Sequence, residues 1–143
     1  MTIHSERWLL DTNVWVFGLR RDKTYPACAQ LLERLGSFSV VILLQVLKEL
    51  NLSLTETEMR DFYQLINQHP ELIELSWQPA RLERITFYQN RSCRKGDAVI
   101  AAHAEALGIK TIISENRQFL QTLSEMSTEL ITASEANARL ASS

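Results

Sequence analysis

At 143 residues, with 45% hydrophobic and 22% charged residues and only 4 Gly and 3 Pro, the chain is read as one globular domain over residues 1–143. A formal net charge of −2 excludes a global basic field, so any nucleic-acid binding must rest on local patches. No apolar run approaches the ~18 residues of a membrane span, and charge at Glu6 and Arg7 argues against a secretory signal.

WLLD (8–11) reads as a first strand, and YPACAQLLERLG (25–36) as a helix with Pro26 near its start and Gly36 past its end. FSVVILL (38–44) is a second strand, continuously apolar as expected of a parallel sheet covered on both faces. LQVLKELNLSL and TEMRDFYQLINQ carry helical spacing, the latter opened by a capping box of Thr55 and Glu58. ELIELSW is a short third strand, ARLERITFYQNR a helix, and RSCRK a polar connection. GDAVIAAHAEALG is a helix stopped by Gly108, KTIIS a fourth strand, and ENRQFLQTL a short helix. ELITA is a candidate fifth strand, giving a sheet of four or five strands, and SEANARL a last helix capped by Ser134. Alternating strands and helices predict an α/β domain with a mostly parallel sheet. The two cysteines make no disulfide framework, which suits a reducing cytoplasm; Cys28 falls in the apolar row Tyr25, Cys28, Leu31, Leu32, Leu35 and is read as core.

Asp11 interrupts the apolar stretch WLLDTNVWVF at the end of the first strand. Alone it would be a turn former or a helix N-cap. In parallel sheets, however, ligands gather beyond the carboxyl ends of strands. Three further positions fall near that edge: Glu49 in the helix after the second strand, Asp97 in the first turn of GDAVIAAHAEALG, and Asn116 after the fourth strand. Each has a plain structural reading. Glu49 can be a solvent-face acid beside Lys48, Asp97 a first-turn acid complementing the helix dipole, and Asn116 a strand-end turn residue with an exposed Glu115 beside it.

The ordered set LLDTNVWV (9–16), VLKEL (46–50), GDAVIAAHAEALG (96–108) and IISENRQFL (112–120) resembles the PIN domain, in the small form found in VapC-type toxins of toxin–antitoxin pairs. The resemblance implies a three-layer α/β/α sandwich with strand order 3-2-1-4-5. It also implies a metal-dependent ribonuclease in which Asp11, Glu49 and Asp97 hold the metal and Asn116 takes the fourth catalytic position. The family often has Asp at that fourth position and another Asp or His where this chain has Gln118. A homodimer and a cognate antitoxin that covers the crevice are further implications, and the apolar stretches LKELNLSL and FYQLINQ are the candidate partner surface.

The donor chemistry agrees. Three carboxylates on one crevice repel and raise one another's pKa unless a cation sits among them. Oxygen donors without Cys or paired His select Mg²⁺ or Mn²⁺ over Zn²⁺. Thr12, Asn13 and Ser114 are suited to orient the acids by hydrogen bonds, or to cap turns. Arg91, Arg94 and Lys95 before Asp97 are candidate RNA-phosphate contacts, and Arg20, Arg21 and Lys23 could flank the same crevice. His103 is read as a helix-face residue rather than a base, and Phe62, Tyr63, Phe87 and Tyr88 as core or partner surface.

A phosphotransferase using a strand-end Asp nucleophile would want a second Asp where Asn13 stands, and a receiver-like domain would want acids the second strand lacks. The stronger rival is a non-catalytic PIN-like module that binds nucleic acid or protein, since neutral Asn116 and Gln118 are what a decayed site would carry.

Overall fold

The computed structural model describes residues 4–91, 95–116, 119 and 128–142; the side chains of residues 4, 5 and 95 lie outside the described part. Five strands form one sheet of order β3-β2-β1-β4-β5. They are β1 (His4–Leu10), β2 (Phe38–Leu43), β3 (Ile73–Ser76), β4 (Thr111–Ile113) and β5 (Glu129–Ile131). Every neighbouring pair is parallel, for example Trp8 opposite Val40 on one side and Thr111 on the other. The central strands are apolar without alternation because both faces are covered: Trp8, Leu9, Leu10, Val40, Ile42, Ile112 and Ile113 are all buried. Each such side chain contributes roughly 1.5–3 kcal/mol of burial free energy.

Seven α-helices whose bounds fall within the described residues, and a 3-10 turn at Pro70–Leu72, accompany the strands: α1 (Thr12–Leu19), α2 (Pro26–Glu33), α3 (Leu44–Ser53), α4 (Glu56–Ile66), α5 (Leu82–Gln89), α6 (Lys95–Ala106) and α7 (Ala133–Ser142). α1 packs on α2, α3 and α4, and α5 packs on α6. The right-handed crossover rule assigns the first group to one face of the sheet, as the chain steps from β1 to β3, and the second to the other, as it returns to β4. The last helix, α7, packs on α2. The result is the expected α/β/α sandwich with the expected strand order. The β-to-α1 corner is locked by an edge-on pair of Trp15 and Phe62 from α4, 5.1 Å between centroids.

Most element boundaries match the sequence pattern. The Thr55–Glu58 capping box is present, and Gly108 ends α6 at a φ of +68°, a backbone conformation that glycine takes without steric cost. One helix is added and two readings change. TNVWVFGL, which follows the first strand and carries no helical stripe, forms α1: the sheet ends at Leu10, and Asp11 caps the new helix by accepting from the Thr12 N–H at 2.8 Å. The last helix is capped by Thr132 rather than Ser134. Thr132 Oγ1 accepts from the Glu135 N–H at 3.2 Å while Glu135 Oε1 accepts from the Thr132 N–H at 3.3 Å. Glu115 is half-buried rather than exposed, because its carboxylate accepts from the Ala133 N–H at 2.9 Å and so anchors the start of α7. Most of ENRQFLQTL lies outside the described residues; its Phe119 is buried.

Candidate active site

The chain leaves β1 toward β2 and returns to β4 from the other side, so the strand order reverses between β1 and β4. A crevice opens beyond the carboxyl ends of such a pair. Here the Asp11 N–H continues the ladder to the Ile113 carbonyl at 2.9 Å, which fixes Asp11 at the rim. A cleft of about 390 Å³ lies there, and its walls include Asp11, Glu49, Asp97 and Asn116 together with Thr12, Asn13 and Ser53. The four positions singled out in the sequence therefore meet on one cleft.

Asp11 is anchored on three sides. Its Oδ1 accepts from the Thr12 N–H, and its Oδ2 accepts from Ser114 Oγ at 2.8 Å and from Asn13 Nδ2 at 3.3 Å. Asn13 also donates to Ser114 Oγ at 3.3 Å, and its Oδ1 takes the Glu115 N–H at 3.1 Å, tying the β1 and β4 ends together. Only 4% of Asp11 is exposed. Burial pushes its carboxyl up to about 7; the Ser114 hydrogen bond opposes this, and the charges of Asp97 and Glu49 add to the rise.

Glu49 is half-buried rather than a solvent-face acid, whereas its neighbour Lys48 is exposed. Its Oε1 accepts from Thr12 Oγ1 at 2.5 Å and its Oε2 from Gln45 Nε2 at 2.9 Å. Thr12 thus touches both acids, Asp11 through its backbone and Glu49 through its hydroxyl. A β-carbon at Gly96 would stand 2.5 Å from Glu49 Oε2, so the absence of a side chain there is what lets α3 bring its carboxylate against the start of α6. Asp97, in the first turn of α6, accepts from Asn116 Nδ2 at 3.3 Å. Asn116 Oδ1 in turn takes the Phe119 N–H at 3.4 Å, so the amide both faces the acid and closes a turn.

The donor set is entirely oxygen and suits a hard divalent cation. Among the described residues, no three such groups converge closely enough to form a ready-made metal cage. The acids are instead tied one by one to neutral donors. A buried carboxyl held near 7 beside two further acids is the electrostatic arrangement a cation would relieve.

The basic residues divide. Arg20 lies in the cleft wall, with Nε 2.8 Å from Glu58 Oε2 and Nη2 2.9 Å from the Ser53 carbonyl. Arg21 pairs with Glu33 at 2.9 Å on the surface. Arg91 is exposed with its guanidinium 4.6 Å over the Phe87 ring and is not part of the cleft wall. Arg94 and Gln118 lie outside the described residues; Lys95 opens α6 and its side chain is likewise outside them. His103 sits on a helix face as expected, with Nδ1 2.9 Å from the Val99 carbonyl and Nε2 2.6 Å from that of Gln78. Cys28 is core, its thiol pushed up to about 12 by burial and then by Glu115. Gln45, which steadies Glu49, escaped the sequence reading although its i−4 position on the same helix carried the signal.

A profile of the PIN domain matches residues 8–123, most of the chain. The chain belongs to the PIN domain family. Its fold resembles that of PAE2754 from Pyrobaculum aerophilum, with a TM-score of 0.57 at 15% identity over 98% of this chain and 100% of that one. VapBC-1 from nontypeable Haemophilus influenzae gives 0.58 at 18% identity, over 90% of this chain and 98% of that one. VapBC2 from Rickettsia felis, solved bound to a DNA fragment from its promoter, gives 0.55 at 20% identity, covering 88% and 98%. No curated protein sequence matches this PIN domain significantly. At these identities the structural likeness speaks for the fold. Domains of this family are generally nucleases.

Proposed function

We propose that this chain is a Mg²⁺- or Mn²⁺-dependent endoribonuclease that hydrolyses RNA phosphodiester bonds, built as a PIN-like domain over 1–143. The carrying observation is that Asp11, Glu49, Asp97 and Asn116, from four separate elements, line one cleft at the strand-order switch. Asp11, Glu49 and Asp97 would hold the metal. A bound Mg²⁺ would supply an activated water and neutralise charge on the scissile phosphate. Ser114, Asn13 and Thr12 keep Asp11 and Glu49 aimed into the cleft. Asn116 orients Asp97 through its amide hydrogens and is the fourth catalytic position. Arg91, Arg94 and Lys95 remain candidate RNA contacts at the α5–α6 connection; of these, Arg91 is exposed and paired with no carboxylate among the described residues.

We further infer a toxin role, a cognate antitoxin and a homodimer, in the cytoplasm. The VapBC likeness supports the class of partner, and Leu52 (81% exposed) on α3 and Tyr63 (45% exposed) on α4 give the helices a face for it. Among the described residues no helix is long and apolar enough to cross a membrane. The test is cleavage of single-stranded RNA in saturating Mg²⁺ with and without EDTA. Metal-independent cleavage, or none, would overturn the assignment. The reading as a non-catalytic binding module draws on the lack of a ready-made cage among the described residues. Carboxylate-dependent stabilisation by Mg²⁺, measured as a shift in melting temperature, separates the two.

A further inference from the structure

Among the side chains that wall the acidic cleft, Arg20 is the one cation among the described residues. It sits at the C-terminus of α1, held on one edge only: Nε and Nη2 engage both oxygens of Glu58, at 2.8 and 3.2 Å, and Nη2 also reaches the Ser53 carbonyl. Only Nη1 has no partner among the described residues, so the guanidinium keeps that one nitrogen as donor for a further acceptor. Glu58 is itself fixed by the Thr55 capping box, which makes the guanidinium pre-positioned rather than loose. One helical turn earlier, Phe17 also walls the cleft, its ring stacked on Tyr25 at 4.3 Å and 11°. The α1 wall therefore presents a fixed guanidinium with Nη1 open and a braced aromatic ring three residues apart, beside the acids.

We infer that Arg20 and Phe17 form a nucleotide subsite, Arg20 holding a backbone phosphate next to the reacting one and Phe17 taking an unpaired base. The chemistry fixes the substrate class as single-stranded nucleic acid. The Nη1 of a fixed guanidinium can donate a charge-assisted hydrogen bond to a phosphate oxygen, and an aromatic ring inside a cleft takes a base only where it is free of its duplex. Arg21 and Lys23, one and three residues on, are exposed and outside the cleft wall, so they do not share the role.

This rests on the nuclease reading for the identity of the neighbouring phosphate, but its test reads binding rather than turnover. Fluorescence anisotropy of a labelled single-stranded RNA 12-mer, and of the same strand in duplex, is measured in Ca²⁺ and in EDTA across a salt series. The parent is expected to prefer the single strand at least 10-fold. Arg20→Ala should weaken binding roughly 10-fold and reduce the slope of log affinity against log salt by about 1. Arg20→Lys keeps the charge, so it should retain the slope and lose about 3-fold in affinity; it carries the test if the alanine variant does not fold. Phe17→Leu should weaken binding about 10-fold with the slope unchanged. Equal binding of duplex, or parental affinity and slope in both Arg20 variants, overturns the subsite. A parent that binds in this pattern but does not cleave overturns the nuclease assignment and leaves the subsite standing.

Discussion

Asp11 and Glu49 face one cleft, yet the regions that present them differ in kind. Asp11 belongs to the sheet: its N–H extends the β1–β4 ladder, and its carboxylate accepts three hydrogen bonds from residues at the two strand ends. Glu49 belongs to the helices. It projects from α3 across to the start of α6, and among the described residues the side chains of Thr12 and Gln45 hold it. The strand-end acid cannot swing out to water, so it retains the full cost of its burial. The helix-borne acid can relax by rotating. A cation arriving in the cleft would therefore find one rigid oxygen donor and one adjustable pair, Glu49 and Asp97, that has to be drawn in. Such a division fits a site that is not a closed cage before it is loaded.

The strongest way to break this pairing is from the helix side. Asp97→Asn keeps the shape and the hydrogen-bonding capacity of the first turn of α6 but removes one of three charges. RNA cleavage in saturating Mg²⁺ should fall by at least about 10²-fold, since the charge neutralising the metal is part of the transition-state electrostatics. Stability in EDTA should hold or rise slightly as repulsion with Asp11 is relieved. Cleavage at the parental rate would remove Asp97 from the site.

The strand-end side is broken by pH. In the unfolded chain Asp11 ionises near 3.8, whereas in the fold it holds its proton to about 7. Between those values the folded state binds the extra proton, so metal-free stability falls as pH rises from about 4 to about 7, by a few kcal/mol, and levels off above. Asp11→Asn keeps the N-cap, because Asn also accepts from Thr12, but removes this slope. Urea unfolding at pH 5 and pH 8 in EDTA compares the two proteins. If parent and variant lose the same stability between the two pH values, Asp11 is not the buried proton-binding group. Added Mg²⁺ should stabilise the parent more at pH 8 than at pH 5.

The sheet region was far more legible in the sequence than the helix region, for a physical reason. Continuous apolar runs such as FSVVIL bury on both faces of a parallel sheet, so the central strands, their parallel direction and the rim position of Asp11 follow from pattern alone, whereas the half-exposed edge strand β5 does not. In contrast, α1 was hidden because TNVWVFGL is buried on most sides and carries no polar stripe; its helicity is imposed by where the sheet ends and by the Asp11 cap. Gln45 and the space at Gly96 were equally silent, because each matters only through the packing of α3 on α6. Arg20 was visible as a charge near Asp11, but nothing in RRDK told it apart from Arg21, which turns to the surface and pairs with Glu33.

Gly96 offers a smaller, sharper probe of the helix side. Gly96→Ala improves helix propensity by up to ~1 kcal/mol. It also places a methyl group 2.5 Å from where Glu49 Oε2 lies, so the carboxylate must turn away. The expected result is a fold at least as stable as the parent with metal affinity lower by roughly 10-fold, the scale of losing an orienting contact. Isothermal titration with Mn²⁺ measures it, and unchanged affinity would mean Glu49 does not ligate.

The smallest effect is expected where the two regions join. Asn116 follows β4 but gives its amide hydrogens to Asp97 on α6, at 3.3 Å, while its oxygen takes the Phe119 N–H. Asn116→Asp is nearly isosteric, and the oxygen facing Phe119 survives the change. What is lost is the donor toward Asp97, replaced by a second carboxylate oxygen at the same spot. In EDTA this should cost about 1 kcal/mol through like-charge repulsion. With metal present the sign reverses, because a cleft of three acids becomes one of four and a divalent cation is better neutralised. The variant should bind Mn²⁺ a few-fold more tightly and gain more melting temperature from saturating metal than the parent does. If residue 116 serves only its turn, the variant and the parent will show the same metal-induced shift. The pairing of Asn116 with Asp97 would then be structural, and the sheet side of the cleft would supply Asp11 alone.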